Sequence, residues 1–141
     1  MANSYTKIYI HFIFTVKGRQ NFLPSSHKSE LHNFIKKIIV KRDSILVAIN
    51  NMEDHIHILV RITPTYSVSR LMQEIKSISS KFINEKRWIR GRFQWQRGYG
   101  AFSHSHSQIK NVVKYINNQE SHHKIKSFKN QYLEFLNKYR V

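Results

Sequence analysis

Cysteine is absent from this 141-residue chain, which excludes disulfides and thiolate metal sites together. Acidic residues are scarce: eight Asp plus Glu face twenty-four Lys plus Arg, for a formal charge of +16. Long apolar runs are missing as well. The greasiest stretch, IYIHFIF near the start, falls far short of the roughly 20 residues that span a bilayer. It also lacks the flanks of a signal peptide. Only four Gly and two Pro punctuate the chain, so few positions are built for sharp turns. These absences lead us to expect a folded, soluble, cytoplasmic protein with no membrane segment.

What is present is a core and a strong positive charge. Nine Phe, seven Tyr and two Trp in a chain that is 40% hydrophobic can close one hydrophobic core, so residues 1–141 read as a single domain. The basic residues run through the whole chain rather than forming a tail. A folded domain this basic most often faces a polyanion, and nucleic acid is the commonest; an anionic membrane surface is the alternative.

The pattern of apolar residues predicts the order β-α-β-β-α-β with a third helix behind it. Residues 6–16 alternate, with Ile8, Ile10, Phe12, Phe14 and Val16 on one face and Tyr9, His11, Ile13 and Thr15 on the other. Leu31, Phe34, Ile35, Ile38 and Ile39 recur at helical spacing. The stretches SILVAIN and HIHILVRI read as strands. Val68, Leu71, Met72, Ile75 and Phe82 mark a second helix to about Lys86. RWIRGRFQWQRGYGAFS, with three of the four glycines, reads as loops around one or two strands. A third helix is expected from Ser107 to about His123, and residues 126–141 read as a helical tail. The first six elements suggest a ferredoxin-like, RRM-like antiparallel sheet with two helices on one face. That leaves Tyr9, His11, His55 and His57 on the side the two helices do not cover.

His55 and His57 raise the question of chemistry. On a strand, residues i and i+2 project to one side about 6–7 Å apart, so two imidazoles can converge on one ion. The alternating Ile56, Ile58 and Val60 would hold that strand in the core. A second pair, His104 and His106, lies in a polar, serine-rich run and reads as DNA-facing or structural. Two histidines still need a third ligand. On the third helix Tyr115 and Gln119 are four apart, on one flank of its apolar stripe; His122 is the competing donor. By spacing alone, Tyr115 reads as a half-buried boundary residue ahead of a functional one.

HIHIL on a central strand followed by YINNQ on a late helix resembles the single-tyrosine transposases of the HUH endonuclease superfamily. The resemblance runs over about residues 5–125 and includes the basic WQRGYG segment. It implies that Tyr115 is the nucleophile, carried on the additional C-terminal helix, and that His55, His57 and Gln119 hold Mg²⁺ or Mn²⁺. Asp54, just before the first histidine, is in keeping with it. It also implies cutting and rejoining of single-stranded DNA at element ends through a 5′-phosphotyrosine. The expected partner is single-stranded DNA with hairpins, and the expected assembly is a homodimer whose active sites are shared between subunits.

Arg87, Arg90, Arg92, Trp95 and Arg97, with Trp88, suit such a partner, since arginines grip phosphates and indoles stack on unpaired bases. Both tryptophans can equally be core. Arg61 is a further phosphate-contact candidate. Two other functions fit the same pattern: a domesticated nuclease that processes hairpins, and an RRM-like module that binds RNA without chemistry. The module would present Tyr9 to bases. A metal-dependent hydrolase that uses water in place of Tyr115 is more remote.

Overall fold

Alternation in the two central strands organises the fold. In the computed structural model, which describes residues 4–18, 23–119 and 128–138, β1 (Ile8–Thr15) is followed by α1 (Lys28–Lys41), β2 (Ile45–Asn51) and β3 (His55–Ile62). Then come α2 (Val68–Lys86), β4 (Gly100–His104), α3 (Ile109–Asn117) and α4 (Phe128–Lys138). The strands form one antiparallel sheet in the order β2-β3-β1-β4. This is the ferredoxin-like arrangement the sequence predicts, with β1 and β3 at the centre.

Phe12 pairs with Ile58 in the β1–β3 register, and Phe14 with Ile56. These residues face α1 and α2, where Leu31, Ile35 and Ile39 meet Leu71, Met72 and Ile75 in the main core. Each such side chain contributes about 1.5–3 kcal/mol when fully buried. Helix α2 starts where Ser67 Oγ accepts from the Arg70 N–H at 3.1 Å, the expected work of an N-cap serine. It stops at Arg87, whose backbone is left-handed at φ 55°. Its buried stripe ends on Ile83 rather than on Phe82, which instead stacks on Phe34 at the side of the core.

The aromatic segment after α2 is pinned by its own alternation. Phe93 and Trp95 turn inward and Arg92 and Arg97 outward. Trp95 bridges to Val16, packs edge-on against Phe14 and Phe93, and donates from Nε1 to Ser79 Oγ at 3.0 Å. Lys76 Nζ holds the next turn by donating to the Gln96 and Gly98 carbonyls, both at 2.8 Å.

The second face of the sheet is not open. Ile109, Val112, Val113 and Ile116 of α3 pack on Tyr9, Val47, Ala48 and Leu59 in a second cluster. A single 3₁₀ turn, His106–Gln108, precedes α3; α3 ends at Asn117, Asn118 is a turn and Gln119 is again helical, while residues 120–123 of the expected helix lie outside the described residues. Two successive asparagines, Asn117 and Asn118, favour turns over helix. Asn50 of β2 donates its amide to the Ile116 carbonyl at 2.9 Å and so ties the last turn of α3 to the sheet.

Candidate active site

Four side chains converge where α3 meets the head of β3. His55 and His57 project from β3 to the α3 side and are fully buried, their rings 5.2 Å apart. The Tyr115 ring stands edge-on to His57 at 5.9 Å. Gln119 follows just past the helix end, with 0% exposure, and its Nε2 donates back to the Tyr115 carbonyl at 3.2 Å. Tyr115 and Gln119 thus meet one turn apart, across the turn at Asn118.

Each histidine has its Nδ1 engaged. That of His55 lies 2.7 Å from an Asp54 carboxylate oxygen. That of His57 lies 2.9 Å from Nε2 of His11, a fully buried neighbour on β1. An Nδ1 so held directs the opposite nitrogen, Nε2, into the space between the two strands and the helix end. Among the described residues, no hydrogen-bond partner meets the buried Oε1 of Gln119 or the Nε2 atoms of His55 and His57. A buried amide oxygen without a donor costs about 1–3 kcal/mol, a cost that a cation or a donated proton would remove. Two imidazole nitrogens and an amide oxygen suit Mn²⁺ or Mg²⁺ with waters completing the shell. The residues fit the ion that the sequence resemblance implies.

Electrostatics at the site favour neutral side chains. Burial, with His104 nearby, lowers the His11 pKa to about 3. Burial raises the Tyr115 phenol above its ordinary range; a hydrogen bond with Gln119 lowers it and the Glu134 carboxylate raises it. Tyr115 also borders a cleft of about 250 Å³, lined by His104, Asn111 and Glu134 among others, which gives the phenol a route to solvent.

The other expected residues are dispersed. Arg61 shares the face of the histidines but lies four residues along β3, about 13 Å away by strand spacing. Its Nη2 is committed to the Thr6 carbonyl at 2.8 Å. Arg87, Arg90, Arg92 and Arg97 are exposed. Three of them, Arg87, Arg92 and Arg97, line grooves of about 1010 and 800 Å³ along α2, together with Lys17, Lys76 and Lys81. Trp95 is a correction: at 8% exposure it is a core residue, because the indole closes the gap between β1 and α2. Trp88 stacks on His27 and stands edge-on to Phe82. His122 lies outside the described residues. Tyr9, the residue an RNA-binding sheet would present, is 7% exposed beneath α3, with its hydroxyl 3.1 Å from Nδ1 of His106.

Sequence reasoning assigned no role to His11 or Asn50. Their signal was a polar residue on the site face of a central strand, and of its neighbour, where an apolar one would pack as well.

Comparison with known proteins bears on the whole arrangement. The family model described as "Transposase IS200 like" matches residues 4–119. The chain belongs to the IS200-like transposase family. The matched span runs through His55, His57 and Tyr115 and ends on Gln119. Within the family, the chain is 24% identical over 116 residues to the ISDra2 transposase TnpA of Deinococcus radiodurans, covering 77% of this chain and 81% of that protein. Two solved structures share the fold. One is a transposase of Deinococcus radiodurans R1, with TM-score 0.66 and 22% identity, covering 84% of this chain and 95% of that one. The other is a REP-associated tyrosine transposase bound to a REP hairpin, with TM-score 0.65 and 17% identity, covering 87% and 73%.

Proposed function

We propose that this transposase cuts and rejoins single-stranded DNA with Tyr115 as its nucleophile. The observation that carries the reading is the edge-on placement of Tyr115 against His57, with the buried Gln119 amide bonded to the same turn. In the reaction the phenol oxygen of Tyr115 bonds to phosphorus while the bond from phosphorus to the 3′-oxygen breaks. The phenol proton ends on the leaving 3′-oxygen. The product is a 5′-phosphotyrosine and a free 3′-hydroxyl, so one phosphodiester is exchanged for another and the step can run in reverse on a new end.

His55, His57 and Gln119 would hold Mg²⁺ or Mn²⁺. When bound, that ion would neutralise a non-bridging oxygen of the scissile phosphate. Asp54 keeps the His55 ring oriented. Burial raises the Tyr115 phenol, so it enters the reaction protonated.

The basic grooves along α2 lie on the far side of the sheet from the histidines, and we assign them to the DNA duplex or strand beyond the cleavage point. Lys and Arg there meet phosphates. One solved relative of the same fold binds a REP hairpin, and a hairpin beside the cleaved strand is the form of DNA we propose here. The resemblance also implies a homodimer with shared sites. In this chain α3 packs on its own sheet, so sharing would require α3 to make the contacts of Leu59 and Asn50 on a partner.

The test uses single-stranded oligonucleotides tiling the DNA that flanks the gene, with Mn²⁺ or with chelator. A denaturing gel should show a protein–DNA adduct that needs both the metal and Tyr115. An adduct of equal yield with Tyr115→Phe would remove Tyr115 from the mechanism.

A further inference from the structure

We propose that His11 is a positioning residue for the cation site, holding His57 in the tautomer that leaves its Nε2 lone pair for a divalent ion. The inference rests on the metal reading above. An imidazole that binds metal through Nε2 carries its proton on Nδ1, and that proton needs an acceptor. For His55 the acceptor is the Asp54 carboxylate at 2.7 Å. For His57 the partner of Nδ1 is another imidazole, Nε2 of His11 at 2.9 Å.

The contact has two possible senses. With the proton of His11 on Nδ1, its Nε2 accepts from His57, and Nε2 of His57 is a ligand. With the proton of His11 on Nε2, the bond runs the other way. Nε2 of His57 is then protonated and faces the site as a donor, unable to ligate. The tautomer of one residue therefore decides the ligand character of the other.

His11 tilts its ring against that of His104, 5.8 Å away, as well as against that of His57. It sits on the central strand, in register with Leu59 on one side and Phe102 on the other, with no exposed surface. An aliphatic side chain would suit those neighbours without the desolvation of a ring nitrogen. His57 lies diagonally across the β1–β3 pair on the same face, its ring 5.1 Å from that of His11 and tilted by 32°. The diagonal places nitrogen against nitrogen, and β1 carries no carboxylate or amide side chain that could accept in its place.

The test reads the tautomer and the metal separately. Long-range ¹H–¹⁵N correlation spectra of the metal-free protein should show His57 protonated on Nδ1. Calorimetric titration with Mn²⁺ should give roughly 10–100-fold weaker binding in His11→Leu. His11→Gln, whose amide oxygen can accept the same proton, should recover most of the loss. A purely structural histidine would change the melting temperature and leave Mn²⁺ affinity alone. The role is overturned if His57 in the wild type is protonated on Nε2, or if His11→Leu binds Mn²⁺ as the wild type does. Should His11→Leu not fold, the wild-type tautomer and the His11→Gln affinity still decide. Failure of the wild type itself to bind Mn²⁺ would instead overturn the metal reading, and the role of His11 with it.

Discussion

Asn50 of β2 stands in register with His57 of β3 and donates its side-chain amide to the Ile116 carbonyl of α3 at 2.9 Å. One buried amide thus ties the helix that carries Tyr115 to the row of the sheet that carries a histidine. Asn50→Leu should leave the Ile116 carbonyl without this donor and cost about 1–3 kcal/mol of stability. It should lower adduct formation far more than it lowers Mn²⁺ binding by the two histidines. A variant that cleaves at wild-type rate would show that α3 is positioned by its apolar face alone.

Arg92→Gln with Arg97→Gln should weaken single-stranded DNA binding without moving the melting temperature, because both side chains are exposed. If each neutralises one phosphate, the slope of log affinity against log salt should fall by about 0.7 per residue. Trp95→Ala should behave in the opposite way. Its indole fills the space beside Phe14 and Phe93, so the loss should be about 3–5 kcal/mol of stability. Denaturant titrations and salt-dependent binding isotherms separate the two outcomes.

Stability should fall in acid through Glu74. Hydrogen bonds from Tyr66 and from Arg42 hold its carboxyl below the ordinary value of 4.5. A carboxylate whose folded pKa is depressed contributes stability above its unfolded value and loses it as pH falls through the folded one. Glu74→Gln should therefore be less stable than the wild type near neutrality, and the difference should shrink as pH drops below about 4.5. Parallel curves of melting temperature against pH for the two proteins would contradict this.

Sharing of sites can be read from a mixture of two inactive variants, His57→Ala and Tyr115→Phe. If the sites are composed from two subunits, mixing should restore adduct formation in a fraction of dimers. If α3 serves its own sheet, as it does in this chain, the mixture should stay inactive. Sedimentation of the wild type would show in parallel whether a dimer forms.

Much of the fold could be read from the sequence because its signals were periodic. The alternation around Phe12 and around Ile58 predicted both central strands, and the spacing of Leu71, Met72 and Ile75 predicted α2. The site was less accessible. The pair His55 and His57 was visible as a spacing, but the contacts that orient them come from β1 and β2. His11 reaches His57 from 46 positions away, and Asn50 reaches Ile116 from 66. No local pattern carries such information. The turn at Asn118 did not show in the apolar spacing, and the contact from Asn50 beside it comes from another element. Trp95 was ambiguous because an indole beside arginines suits a nucleic acid and a core equally well until its partner, Ser79, is known.

In β3 the odd positions face α3 and the even ones face α1 and α2. Shifting this strand by one residue would turn His55 and His57 toward Phe12 and Ile35, and would turn Ile56 and Ile58 toward Tyr115. The site and the hydrophobic interior are therefore two readings of one parity. A single-residue insertion in the turn before His55, taken up by the strand, would remove both together. The same feature makes the chemistry robust, since any pairing of β3 that buries its isoleucines also delivers both imidazoles to the same side.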